Sequence, residues 1–242
     1  MSYKVVLAII YYVIIAEPVW SGSVREIIDL SLEDKKLALS EHNRYRRGVQ
    51  PTASNMEEMI WDPELADFAV KHSRKCEFSH SSGRSTSNFN GVGENLYLTS
   101  QVKINNTQII RNGLQKWFNE NSDYTFDSNS CALNEVCGHY TQMVWATSYA
   151  VGCGVTKCSN IQGFSQGSYL VCNYGPAGNV GTKTPYKSGV PCSECGSKMN
   201  CSNSLCSDEN RKSKFSGASY INPPQVLIFS GLSLAMMKLF GM

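Results

Sequence analysis

An excess of charge is the first thing this chain lacks: 22 Lys and Arg against 20 Asp and Glu leave +2 over 242 residues. Acids and bases are mixed along the chain, so there is neither the basic footprint of a nucleic-acid binder nor a polybasic membrane patch, and no nucleic-acid partner is expected. Phosphate-cradling glycine motifs are missing as well. With no GxGxxG and no P-loop, nucleotide chemistry has no recognisable seat here. Histidine is scarce, at four residues, His42, His72, His80 and His139, and none belongs to an HExxH pair, so the close-spaced zinc-protease arrangement is excluded. Cysteine is absent before Cys76 and after Cys206. All ten lie between those points, an even number, as in a disulfide-bonded protein made in an oxidising compartment.

The hydrophobic share of 42% is ordinary for a packed core, and the length suits one large domain with appendages. Both ends read as lying outside that domain. Residues 1–22 look like a secretory signal: Lys4, the run VVLAIIYYVIIA, then Ser21, Gly22 and Ser23 near a cleavage point, with the mature chain beginning between Glu17 and Val24. Residues 226–242, VLIFSGLSLAMMKLFGM, are apolar over about seventeen residues, marginal for the roughly twenty that span a bilayer. The small triplet Ser216, Gly217, Ala218 and a short spacer with Pro223 and Pro224 precede them, the parts of a glycolipid-anchor signal. A membrane-spanning tail and a plainly secreted product are the alternatives. Asn105 in NNT is a glycosylation sequon; Asn200 in NCS is a poorer one because of Cys201.

Between the ends, helical patterns come first and strand patterns after. SLED, Ser31 to Asp34, reads as a capping box opening a helix through Leu37, His42 and Tyr45, closed by Gly48 and Pro51. Asp62 followed by Pro63 opens a second, with Leu65, Phe68, Ala69 and His72 repeating up to Cys76. Ile110, Leu114, Trp117 and Phe118 carry a third from Thr107 into NENSDY, after a loop from Ser81 to Gly93. AVGCGVTKC and GSYLVCNYG read as strands. This order predicts an α/β sandwich and not a doubly wound sheet. Gly181 to Pro191 reads as a turn-rich linker. The four cysteines from Cys192 to Cys206 then mark a segment too short for its own core, held by disulfides or, alternatively, by a four-thiolate zinc site. Residues 207–225 read as a flexible stalk.

His72 reads as a bland helix residue and His42, in EHNRYR, as a structural hydrogen-bonding one. His80, beside Cys76 and before a loop ending in Gly93, Glu94 and Asn95, is the residue a disulfide would hold in place. Imidazoles of His80 and His139 with the carboxylates of Glu94 and Glu120 are the mixture that suits zinc, provided the fold brings them together. In CGHYTQMVW, Tyr140, Met143, Val144 and Trp145 have core spacing, with His139 and Gln142 expected to turn toward a cleft.

Several of these stretches share one resemblance. GHYTQMVWATS, Gly138 to Ser148, and YLVCNYGPAGNV, Tyr169 to Val180, resemble the two signatures of the CAP superfamily of cysteine-rich secretory, antigen 5 and pathogenesis-related 1 proteins. HNRYR at His42 and GENLY at Gly93 are similar to its two further motifs, in order. The tail looks closest to the glioma pathogenesis-related-like branch. The resemblance implies an α-β-α sandwich over residues 31–182 with a cysteine-rich hinge at 183–206, and a cleft in which His80, Glu94, Glu120 and His139 hold zinc or another divalent cation. It implies disulfides Cys76–Cys158, Cys153–Cys172, Cys131–Cys137, Cys192–Cys201 and Cys195–Cys206. It also implies an extracellular or surface-anchored binding protein, with a lipid or sterol, or a cell-surface protein, as partner. A metal-dependent hydrolase or protease and a channel-modulating venom-type protein are the alternatives; the first lacks an assembled nucleophile and base, and the second lacks the larger cysteine-rich domain.

Overall fold

A computed structural model describes residues 22–101 and 103–215 of the chain. All of the segment read as a signal except Gly22, the apolar tail, and the last part of the stretch read as stalk lie outside the described residues. Among the described residues no helix is long and apolar enough to cross a membrane.

In chain order the elements are β1 (Ser23–Ile28), α1 (Leu32–Arg47), β2 (Ile60–Trp61), α2 (Pro63–Ser73), β3 (Gly93–Thr99), α3 (Asn106–Phe118), β4 (Tyr124–Thr125), β5 (Ser130–Cys131), α4 (Gly138–Met143), β6 (Ala150–Ile161), β7 (Phe164–Gly175), β8 (Asn200–Ser202) and β9 (Leu205–Ser207). The helix starts follow local chemistry. Ser31 and Asp34 close a reciprocal capping box on α1, and Asp62 accepts from the Leu65 N–H to cap α2. Asn105 caps α3 through the Gln108 N–H, so the sequon asparagine is also a helix cap. α2 stops at Ser73, three residues before the sequence pattern suggests. The chain turns there, and Cys76 adopts φ 53° to reach its disulfide partner.

The main sheet runs β1-β6-β7-β3, with β2 joining β6 in parallel on the β1 side. β3 is therefore the far edge. Its pairing with β7 places Glu94 opposite Asn173 and Asn95 opposite Cys172. Side chains alternate across the strands. Leu170, Cys172 and Tyr174 enter the larger core beneath α1, α3 and α4, which includes Ile110, Leu114, Trp117 and Met143. Tyr169 and Val171 enter a smaller one with Ala69 beneath α2. Each fully buried aliphatic of that set stabilises the fold by about 2 kcal/mol. The contact of α2 with the sheet depends on Gly152: a Cβ there would lie 2.1 Å from the Ala66 nitrogen and 2.6 Å from the Asp62 oxygen. Helices on both faces of the sheet make the expected α-β-α sandwich.

All five expected disulfides form, and among the described residues no cysteine is free. The four-thiolate zinc alternative for the hinge is thereby overturned. That bonding is the chemistry of an oxidising, extracellular environment. The hinge does not hang free: Cys206 N–H donates to the Met56 carbonyl and the Glu58 N–H donates to the Cys206 carbonyl. Nor is the following stretch a loose stalk from its first residue. Ser213 Oγ accepts from the Trp61 N–H, the Lys214 N–H donates to the Trp61 carbonyl, and Phe215 stacks on Trp61. Trp61 on an open strand edge supplies both the hydrogen-bonding groups and the apolar face that draw the segment in, which a composition-based stalk reading cannot register.

Candidate functional site

β3 organises the site because consecutive residues of an edge strand point to opposite faces while sharing one rim. Glu94 turns toward the α2 face, where its side chain is fully shielded. His80 Nδ1 lies 2.9 Å from its Oε1, the Ser81 N–H donates to the same oxygen at 2.9 Å, and Ser81 Oγ donates to Oε2 at 2.7 Å. Asn173 Nδ2 donates to Oε2 at 3.4 Å, and Arg84 Nη1 stands 3.5 Å from Oε1. Burial opposes ionisation of Glu94, but the donors from His80 and Ser81 outweigh it and hold the carboxyl down at about 2.

Asn95, the next residue, faces the other side and donates from Nδ2 to the His139 carbonyl at 3.0 Å and to the Tyr174 hydroxyl at 3.3 Å. This ties the second pair to the same strand. His139 Nδ1 lies 2.6 Å from Glu120 Oε1, while Glu120 Oε2 accepts from the His139 and Tyr140 N–H groups at 3.0 and 3.1 Å. Glu120 thus satisfies two orphan donors in the first turn of α4, a helix whose N-cap Cys137 supplies no side-chain bond. Trp117 lies nearly parallel to the His139 ring, 6.1 Å away, and is pinned by its own N–H to the Leu96 carbonyl.

Both rings therefore present Nδ1 to a carboxylate. A carboxylate only accepts, so Nδ1 carries the proton, and a neutral ring offers its lone pair at Nε2. His80 is 55% exposed and His139 27%, so both remain reachable. Glu94 and Glu120 are engaged on Nδ1 and backbone donors. No group of three or more His, Cys, Asp or Glu that could hold a metal ion exists among the described residues. The structure joins His80 to Glu94 and His139 to Glu120 but does not gather the four into one ligand cluster; each imidazole has a carboxylate behind it, as metal-binding histidines do.

The other two histidines are structural. His42 is fully buried between the Ala38 carbonyl and the Tyr174 hydroxyl, and burial lowers its pKa to about 4. His72 is buried with Nε2 2.7 Å from the Ser79 carbonyl, steadying the turn that carries His80. Gln142 does not turn to the cleft. It is buried, accepting from the Gly178 N–H and donating to Ser148 Oγ, because α4 lies so close to β3 that a Cβ on Gly93 would fall 2.0 Å from Gln142 Oε1. Tyr140, Met143, Val144 and Trp145 are core, as their spacing suggests. Ser81, Asn95, Asn173 and Tyr174 brace the site and escape single-residue reasoning; their only trace is their place within or beside the motif stretches.

The profile of the family described as "CAP: Cysteine-rich secretory protein family" matches residues 39–174. Mouse GLIPR1-like protein 1 is 41% identical over 179 residues, 72% of each chain. Human Peptidase inhibitor 16 is 39% identical over 188 residues, 77% of this chain but 38% of that protein, so the match spans well under half of that relative. Among solved structures, "Crystal structure of NaASP2 with Zn2+" is 29% identical with a TM-score of 0.60, covering 73% of this chain and 96% of that one. "Crystal Structure of Na-ASP-1" is 30% identical with a TM-score of 0.62, covering 75% and 50%. The match to residues 39–174, a sandwich shared with these structures and relatives near 40% identity make this chain a member of the cysteine-rich secretory, or CAP, protein family.

Proposed function

We propose that this chain is an extracellular binding protein whose cleft holds one divalent cation, zinc in the first instance, between Nε2 of His80 and Nε2 of His139. The observation that carries the reading is the pairing of each Nδ1 with a carboxylate, which fixes both tautomers and leaves the lone pair of each ring at Nε2. A bound cation would supply a positive anchor for an oxygen or nitrogen of a ligand. The chain's own residues orient the rings: Glu94 and Ser81 on one side, and Glu120 and the Trp117 face on the other. A relative of the same family was crystallised with Zn2+, which supports the choice of ion.

Binding is favoured over hydrolysis by the state of the carboxylates. A general base must have a free oxygen within reach of its proton. Glu94 accepts from His80, Ser81 and Asn173 on all four of its acceptor sites, so it is not left available to a substrate water, and Glu120 is committed to the His139 ring and to two N–H groups of α4. The partner in this reading is a lipid or sterol, or an extracellular protein, met outside the polar cleft. The shallow groove between α1 and the start of α3 has Glu33, Asp34, Lys36 and Ser40 beside Leu37 and Thr107 on its walls, so it offers no apolar seat for a lipid chain. The apolar C-terminal stretch would attach the chain to the outer face of the plasma membrane.

Purified protein is expected to take up one zinc per chain, and the His80→Ala, His139→Ala double variant none. Full metal content in the double variant would overturn the site. Sterol-containing vesicles should bind both proteins equally, since this reading places the lipid outside the polar cleft.

A further inference from the structure

The stretches HNRYR, GENLY, GHYTQMVWATS and YLVCNYGPAGNV lie far apart in the chain, yet each gives one residue to a single line of hydrogen bonds. On α1, His42 Nδ1 lies 2.7 Å from the Ala38 carbonyl, and Nε2 lies 3.0 Å from the Tyr174 hydroxyl of β7. Asn95 Nδ2, on β3, lies 3.3 Å from that hydroxyl and 3.0 Å from the His139 carbonyl of α4. His42, Asn95 and Tyr174 are all buried, so each polar atom on the line depends on the next.

Both ends of the line are carbonyls, which only accept, and this forces its direction. His42 donates from Nδ1 to Ala38, which leaves its lone pair at Nε2 for the Tyr174 O–H. The Tyr174 oxygen then accepts from Asn95, whose amide nitrogen also donates to His139. The opposite His42 tautomer would set two lone pairs against each other at 2.7 Å. Burial lowers the His42 pKa to about 4, so the ring stays neutral and the direction holds near neutral pH.

The consequence falls on His139. Its N–H is held by Glu120 and its carbonyl by Asn95, so its backbone is fixed from both sides at the start of α4. Glu94, the residue before Asn95 on the same strand, holds His80. We propose that His42 is a positioning residue for the cleft, acting through Tyr174 and Asn95 to hold the His139 carbonyl on β3 and so to set where the His139 ring stands relative to His80. Tyr174 shares that role. The use made of this spacing rests on the two-imidazole reading above, whereas the positioning itself needs no bound ion.

Hydrogen exchange of the metal-free chain and zinc competition titration of the same proteins test the proposal with three variants. Tyr174→Phe keeps the ring and removes the hydroxyl. His42→Leu removes the acceptor, and His42→Gln returns one, its amide oxygen, near the place of Nε2. Amides of α4 are expected to exchange at least about fivefold faster in Tyr174→Phe and His42→Leu, with those of α2 unchanged, and to stay near the parent rate in His42→Gln. Zinc affinity should fall about tenfold in the first two and recover in the third. If His42→Leu does not fold, Tyr174→Phe against the parent makes the same comparison. Equal protection of α4 in Tyr174→Phe and parent, or a loss spread evenly over α2 and α4, overturns the positioning role and leaves one of packing. A loosened α4 with unchanged zinc affinity overturns the link to the spacing of His80 and His139. A parent that takes up no zinc while α4 still loosens in the variants overturns the two-imidazole reading and supports the positioning.

Discussion

Arg46 shows how a charged residue can be a core residue. It is fully buried, and its guanidinium donates to the carbonyls of Glu57, Met143, Trp145 and Ala146, joining two loops to α1. Burial lowers its pKa to about 9, partly offset by Glu57. Replacement by Met would take the guanidinium from four carbonyls; Trp145 keeps the Ser148 N–H and Ala146 the Glu57 N–H, but those of Glu57 and Met143 lose their donor, at a cost on the order of 3 kcal/mol, read as a lowered denaturation midpoint. An unchanged midpoint would mean that water replaces the guanidinium at no cost. Acid should act on two named groups. His42 has a depressed folded pKa, so its contribution is full above pH 6.5 and falls as pH drops toward 4; Glu94 contributes fully above about 4.5 and loses that contribution as pH falls through about 2. In metal-free protein, His42→Gln is expected to flatten the upper part of the stability profile and Glu94→Gln the lower part. Profiles parallel to the parent would contradict both assignments.

At the scale of elements, close approach decides what each helix can hold in place. Gly152 lets α2 lie directly on β6, so Gly152→Ala forces helix backbone outward and is expected to cost about 1–3 kcal/mol, seen as a drop in Tm of several degrees. Glu120 is both the carboxylate of His139 and the acceptor for the first turn of α4. Glu120→Gln should therefore weaken zinc binding at His139 more than it lowers stability, because an amide still accepts from one N–H but no longer draws the ring proton. Equal zinc affinity in Glu120→Gln and parent would remove the orienting role. The elements themselves were largely legible. Ser31, Asp62 and Pro63 announce helix starts by local chemistry, and the periodicity of Ile110, Leu114 and Trp117 marks α3. β1 and β3 were not, because β1 is exposed along most of its length and the apolar side chains of β3 go to different cores, so neither shows clean alternation. The role of Gln142 was hidden for a related reason: only the position of Gly178, thirty-six residues away, shows where its amide goes.

The whole molecule is held together by covalent loops as well as by its cores. Cys76–Cys158 closes a separation of 82 residues and ties the turn before His80 to β6. Removing it as a Cys76→Ala, Cys158→Ala pair is expected to cost about 4 kcal/mol and to loosen His80 before His139, whose neighbourhood is fixed by Cys131–Cys137 instead. The fold class could be read from motifs, which are stretches of buried residues and tight turns at one sheet edge, and Glu94 and His139 lie inside those motifs; His80 and Glu120 lie outside them and rest on the looser family resemblance. That the four divide into two pairs across β3 could not, since it depends on which way consecutive residues of an edge strand point. The central claim is that the two outward nitrogens share one cation. X-ray absorption on zinc-loaded protein tests it directly. The account predicts one zinc per chain with two imidazoles in its first coordination shell, falling to one in either single His→Ala variant; a shell with carboxylate oxygens and no imidazole would contradict it.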